Sequence, residues 1–291
     1  METTQSMETK KGIVYKPSNP WKAVVLENKR ITDPKSPDDV RHILMDTVKS
    51  EMELLEGQSI GVVVPGTDAD GQKHRVRLYS IASAREGEKN KDTVALTVKR
   101  VVYKDEVTGE TKKGLGSNYL CDLKPGDPVF ITGPVGRTFL LPDDKTTDMI
   151  LIAIGTGIAP FRAFINHMYQ ENNSWQGRVL LFFGAKSGME SLYMTDENND
   201  IGQYYTKETF TAFKALSQVD RKYVQHQLRD NIELIWDIMK KDHFSMYICG
   251  LKGMEEGVED VFHGIATAQG LSWSDLMSKY KTEKRWHIEV Y

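Results

Sequence analysis

Arg77, Tyr79 and Ser80, in the run RLYSIAS, bring together a guanidinium, an aromatic ring and a hydroxyl. In a strand, Arg77 and Tyr79 share one face and Ser80 follows on the other. A cation for a phosphate beside a flat ring is what an anionic, planar ligand needs. The same residues also suit an ordinary edge strand with Arg77 solvated. GTGIAPFR, starting at Gly155, places a Gly-Thr-Gly turn between an apolar run and a helix with Pro160 in its first turn. Free N–H groups at such a junction receive phosphate or a dinucleotide, although a tight turn with no ligand has the same pattern. In KKGLGSNYLCDL (112–123), Ser117-Asn118 reads as an N-cap ahead of a short apolar helix. YICGLKGM (247–254) puts Cys249 and Gly250 at the carboxyl end of a strand. There a thiol either touches a ligand or serves as a small buried hydrophobe. The chain closes on WHIEVY, whose alternation predicts a strand carrying Glu289 and ending at Tyr291.

These groups need elements to hold them. KAVVLENKRI, SIGVVVPG, RVRLYSIAS, TVALTVKRVVY and DPVFITGP are short β-rich runs separated by Gly, Pro and Asp clusters. That spacing predicts an antiparallel barrel. DDVRHILMDTVKS (38–50) fits a helix or a strand equally. Beyond the linker LLPDDKTTD (140–148), strands and helices alternate: MILIAIG, TGIAPFRAFINHMYQEN, RVLLFFGA, then YVQHQLRDNIELIWDIMKK, SMYICG and MEEGVEDVFHGIATAQG. This alternation predicts a doubly wound parallel sheet. The expected organisation is a flexible N-terminus (1–18), a barrel domain (19–142) and an α/β domain (143–291).

The 291 residues suit two domains, and a net charge of −3 leaves no global basic field for nucleic acid. Cys121 and Cys249 are far apart, without metal-ligand spacing, so neither a disulfide framework nor a cysteine metal site is expected. METTQSMETKKG lacks the apolar core of a secretory signal, and no run nears the roughly 18 apolar residues of a membrane span. The expectation is a cytoplasmic protein, with a monomer favoured.

In this order, RLYSIAS, LTVKRVVY, GSNYLCDLKPGD, ITGPVG, GTGIAPFRAF, CGLKGME and the final EVY resemble the plant-type ferredoxin–NADP(+) reductase family. Each motif is weak alone; seven in order are specific. The resemblance spans about residues 60–291 and weakens between about 187 and 225. It implies a barrel for FAD and an α/β domain for NADP. Arg77, Leu78, Tyr79 and Ser80 would bind FAD, with the Tyr79 ring on one flavin face. Thr97, Val98, Lys99 and Tyr103 would line the adenylate half, and Leu115, Gly116 and Ser117 would meet the pyrophosphate and flavin. Tyr291 would cover the other flavin face and move aside for nicotinamide. Arg137, Thr156, Ala185, Lys186, Gly250 and Leu251 would contact NADP. Ser117, Cys249 and Glu289 would be catalytic, with Glu289 passing protons between solvent and Ser117. NADPH would give a hydride to the flavin, and a ferredoxin or flavodoxin would take electrons singly.

The chain departs from the pattern in places. Gly116 stands where the family often has cysteine. Ser217 is followed by Gln218 where an arginine usually grips the 2′-phosphate, and Gln218 cannot form a charged fork. Arg221, Lys222, Tyr223 and Gln225 match the neighbouring stretch and remain candidates for that phosphate. Residues 187–206 are longer and more acidic than the plant pattern, and with FFGAK and RKYVQ they look more like the reductase part of a benzoyl-CoA epoxidase system. An oxygenase reductase component is therefore the alternative to a ferredoxin–NADP reductase. A regulatory flavin-binding protein without turnover is a third reading, opposed by Ser117, Cys249 and Glu289. Lys99, Arg100, Lys104, Lys112 and Lys113 form a candidate patch for an acidic carrier, or a set of scattered solvated cations.

Overall fold

The computed structural model of the protein describes residues 12–170, 174–186, 189, 192–193, 200–217, 219 and 221–291. The first half contains β1 (Trp21–Arg30), β2 (Val40–Asp46), β3 (Ser59–Val63), β4 (Arg77–Ser80), β5 (Thr93–Lys99), β6 (Val102–Lys104), β7 (Thr111–Lys113), α1 (Leu115–Asp122) and β8 (Pro128–Val135). Six strands form an antiparallel sheet in the order β4-β3-β8-β1-β2-β5. A bridge between Ile81 and Leu96 joins the chain after β4 to β5 and closes the sheet on itself. Ala23, Val25, Ile43, Met45, Ile60, Val94, Leu96 and Val129 fill the interior.

The stretch 38–50 is a strand, β2. It lacks a clear alternation because both its faces are covered. Ile43 and Met45 point into the barrel core, whereas Leu44 packs with Ala82, Ala95 and Ala159 against the second half of the molecule. TVALTVKRVVY is not one strand: it ends at Lys99 and resumes as β6, which forms a hairpin with β7.

The second half contains β9 (Asp148–Ile154), α2 (Ile158–Tyr169), β10 (Val179–Ala185), β11 (Phe210–Leu216), α3 (Val224–Asp230), α4 (Ile232–Met239), β12 (Phe244–Gly250), α5 (Met254–Ala268), α6 (Trp273–Thr282) and β13 (Trp286–Val290). Five parallel strands run in the order β11-β10-β9-β12-β13. Alternate residues feed two cores. Leu151, Leu181, Phe183 and Tyr247 pack with α2 on one face. Ile152, Phe182, Met246 and Ile248 pack with the other helices on the opposite face. The helix expected over YVQHQLRDNIELIWDIMKK is two helices, broken at Asn231, whose side-chain amide donates to the Gln227 carbonyl at 2.8 Å. Such a local bond competes with the helical ladder.

Phe139, after the barrel, buries its ring among Phe161, Phe164 and Tyr247. The Tyr247 hydroxyl donates to the Leu140 carbonyl at 2.6 Å, tying this connection to β12. Tyr247→Phe leaves that carbonyl unpaired, and the expected loss of stability is about 1–2 kcal/mol. Urea unfolding reads it; an unchanged midpoint would mean the bond contributes nothing.

Candidate active site

On β4, Arg77 is exposed and its Nη1 donates only to the Arg75 carbonyl, at 3.0 Å. Among the described residues no carboxylate compensates its charge. Tyr79 is half-buried against the barrel core, and burial pushes its phenol up to about 12, so it stays neutral. Leu78 is 62% exposed beside it, and Ser80 pairs with Ser59 across the ladder. Gly116 closes over this pair. A Cβ there would lie 2.8 Å from the Tyr79 hydroxyl and 3.0 Å from Arg77 Cγ, so a larger residue here requires one of these side chains to shift.

Helix α1 starts one turn earlier than its sequence suggests. Gly114 is the N-cap, without a capping side chain, and Ser117 and Asn118 lie inside the helix. They staple it to the chain before β6 instead. Val101 N–H donates to Ser117 Oγ at 3.1 Å, and Ser117 Oγ donates to the Gly114 carbonyl at 3.2 Å. Asn118 Nδ2 donates to the carbonyls of Val101 and Gly114, each at 2.8 Å. Leu115 is exposed. Thr97 and Val98 turn inward, Thr97 Oγ1 meeting Tyr193 Oη at 2.7 Å and Val98 joining the barrel core. Lys99 pairs with Asp38 at 2.7 Å, and Tyr103 on β6 is exposed.

The second cluster forms at the carboxyl edge of the parallel sheet. Gly155–Gly157 makes a single 3₁₀ turn that leads directly into α2. A Cβ at Gly157 would come within 2.1 Å of the Cys249 carbonyl oxygen, so the turn rests on the end of β12. β13 pairs in parallel with β12, setting Glu289 opposite Cys249. Tyr291 N–H donates to the Gly250 carbonyl at 3.1 Å, and its hydroxyl meets Thr156 Oγ1 at 2.6 Å. Thr156, Cys249, Gly250, Glu289 and Tyr291 thus converge from three elements: the 3₁₀ turn, the end of β12, and β13 with the residue that follows it. Cys249 is fully buried, and burial pushes its thiol upward. Burial also raises the Glu289 carboxyl to about 7.

Farther along the edge, Ala185 ends β10 and Ser217 follows β11. Ser217 N–H donates to the Ala185 carbonyl at 3.0 Å. Lys186, Arg221 and Tyr223 are exposed, and Gln225 packs against Gly257 of α5. Gln218 lies outside the described residues. Leu251 is exposed beyond Gly250, and Arg137 is exposed after β8. Ser117 and Glu289 share no hydrogen bond among the described residues. Sequence reasoning missed Arg162, the buried base of GTGIAPFR, and its partners Glu88, Tyr193 and Asp200. Its one signal was a charge on a helix that is otherwise apolar.

Residues 36–139 match the family model for the oxidoreductase FAD-binding domain, and residues 151–260 match that for the oxidoreductase NAD-binding domain. The chain is 41% identical over 288 residues to the protein named ferredoxin–NADP reductase, cyanelle, of Cyanophora paradoxa, covering 96% of this chain and 78% of that one. It is 40% identical over 287 residues to the ferredoxin–NADP reductase of Thermosynechococcus vestitus, covering 96% and 74%. The solved ferredoxin–NADP+ reductase of Plasmodium falciparum shares the fold, with a TM-score of 0.74 at 24% identity over 95% of this chain and 98% of that one. With both halves matched and relatives of one name aligned along 96% of its length, the chain belongs to the ferredoxin–NADP reductase family.

Proposed function

We propose that the protein exchanges a hydride with NADP(H) and single electrons with a ferredoxin or flavodoxin, using FAD. The observation that carries this reading is the convergence of Thr156, Cys249, Glu289 and Tyr291 at one sheet edge. In this reading residues 19–142 hold FAD and residues 143–291 hold NADP. The barrel residues fit an anionic, planar group: among the described residues Arg77 has no carboxylate partner, Leu78 and Tyr79 follow it on β4, and Tyr103 is an exposed ring on β6. Bound there, the flavin supplies the conversion between two-electron and one-electron transfer.

The chain's own groups orient and exclude. Arg77 holds phosphate, and Tyr79 supports the ring system. Val101 N–H takes up one lone pair of the Ser117 hydroxyl and so orients it. Cys249, buried opposite Glu289, stays a neutral thiol, and Glu289 holds or releases a proton near pH 7. Tyr291, tethered by Thr156, is the ring that nicotinamide displaces. Arg221, Tyr223 and Ser217 are the candidates for the 2′-phosphate, with Lys186 and Leu251 beside the dinucleotide.

The carrier patch is smaller than its sequence suggests. Lys99 pairs with Asp38, Arg100 with Asp39 and Asp122, and Lys112 with Asp105. Lys104 and Lys113 on the β6–β7 hairpin have no ion-pair partner among the described residues and are the ones left for an acidic partner. No described helix is long and apolar enough to cross a membrane. Two free, buried cysteines suit a reducing compartment such as the cytoplasm.

The test is direct. Protein loaded with FAD should bleach on NADPH and pass electrons to a ferredoxin or flavodoxin, with a rate that falls steeply with salt. No uptake of FAD, or no bleaching, would sink the reading. A higher kcat/KM for NADH would remove NADP, and a flat salt response would remove the electrostatic docking. Gly116→Ala should weaken FAD binding about tenfold, because the new methyl displaces Tyr79 or Arg77. An FAD titration with unchanged affinity would show that the close approach is unimportant.

A further inference from the structure

Helix α2 starts at the Gly-Thr-Gly turn and carries Arg162 about one helical turn on, roughly 8 Å along the axis from Gly157. The Arg162 side chain is only 7% exposed. Its Nη1 donates to the Ala82 carbonyl at 2.7 Å and to Glu88 Oε1 at 2.6 Å, both on the barrel side. Its Nε and Nη2 donate to Asp200 Oδ2 at 2.8 and 2.6 Å, on the sheet side. The guanidinium also lies 4.6 Å from the centre of the Tyr193 ring. The Tyr193 hydroxyl reaches back to the barrel, 2.9 Å from His42 Nδ1 and 2.7 Å from Thr97 Oγ1. His42 Nε2 completes the ring of contacts at 3.1 Å from Glu88.

A guanidinium this deep is tolerated only when its charge and donors are paired. Here the pairing is split between the two halves of the molecule. Only a planar fork with donors on three nitrogens can meet both sides at once, which a lysine ammonium cannot. Tyr193 and Asp200 come from the 187–206 stretch, so that stretch contributes two of the groups that grip Arg162. Because α2 is a rigid continuation of the turn, whatever holds Arg162 also fixes residues 155–157.

We propose that Arg162 is a positioning residue for hydride transfer: by joining the barrel to helix α2, it sets where the Gly-Thr-Gly turn stands relative to the flavin side. This rests on the functional reading above. It asks nothing of Arg162 as a group touching substrate or cofactor.

Arg162→Lys keeps the charge and loses the fork. Asp200→Asn removes one anchor and leaves Glu88 to balance the charge, so it is informative even if the lysine variant folds poorly. Both are prepared with FAD bound and compared with the unaltered protein. Expected are faster amide hydrogen exchange at 155–165, a weaker long-wavelength charge-transfer absorbance when NADP+ is added to the chemically reduced protein, and single-turnover hydride transfer slowed about tenfold or more. Oxidation of the chemically reduced enzyme by ferricyanide, which needs no dinucleotide, should change by less than about twofold. Unchanged exchange, absorbance and hydride transfer in both variants would overturn the proposal. So would a parallel fall of both rates that merely tracks lost FAD. If the unaltered protein takes up no FAD or fails to bleach with NADPH, the functional reading falls and this proposal with it. An unaltered protein that bleaches beside variants that bleach as fast overturns the proposal alone.

Discussion

Replacing Glu289 by Gln is expected to slow hydride exchange with NADP(H) roughly a hundredfold, the lower end of what a positioned proton-transfer group supplies. Register puts Glu289 opposite the buried Cys249, and burial raises its carboxyl from 4.5 to about 7. Below that value the folded protein holds the proton, and above it an ionised carboxylate sits in a partly dry site. A group with this raised value changes state at the pH where the reaction runs. The rate of the unaltered protein should therefore break near pH 7, and the Gln variant should lose the break. Stability should follow the same group. An acid raised in the folded state favours folding below its unfolded value and loses that contribution as pH climbs through the folded one. Without cofactors, the unaltered protein should lose stability between pH 4.5 and about 7 by an amount the Gln variant does not. Rate profiles that break identically in both proteins would remove Glu289 from the proton path.

The second large effect is expected from one methyl group. Gly157→Ala places Cβ 2.1 Å from the Cys249 oxygen, 2.5 Å from its carbonyl carbon and 2.8 Å from Gly250 Cα. All three are backbone atoms, so no rotamer relieves the collision. Either α2 lifts or β12 shifts, at a cost of about 3 kcal/mol or more. The edge that carries Thr156 and Tyr291 moves with them, and NADP+ affinity should fall more than about tenfold. Thermal unfolding and an NADP+ titration read the two effects. Gly264 in α5 is the control, since nothing lies within 4 Å of its Cβ position. Gly264→Ala should raise stability by about 0.5–1 kcal/mol. Equal behaviour of the two variants would mean that the close packing at Gly157 carries no weight.

Much of this was legible in advance, for reasons that differ along the chain. MILIAIG and SMYICG are buried on both faces, so they read as continuous apolar runs, and they became the central strands β9 and β12. β11 escaped notice because it is an edge strand with several half-exposed positions and no such run. α6 was missed although Ser272 accepts the Asp275 N–H as its N-cap, because its polar residues outweigh its apolar ones. At the site, Gly155–Gly157 and Glu289 announced themselves through local pattern. Their meeting did not, since parallel pairing of β13 with β12 is a long-range event that no window of sequence contains. The misplacement of the α1 cap has a local cause. Ser117 and Asn118 have the chemistry of capping residues but direct it at Val101, which only the folded hairpin brings near. Arg162 stayed hidden because its partners are scattered from Ala82 to Asp200.

The two cysteines, one per half, have a consequence for endurance. Reduced flavins also pass electrons to oxygen, and the peroxide that results attacks thiolates. Burial pushes the Cys121 thiol up to about 11 and drives Cys249 upward as well. At neutral pH neither sulfur is present as the reactive anion, and neither is exposed. Both thiols are thus kept out of the reactive anionic form, and they should resist peroxide doses that oxidise ionised cysteines.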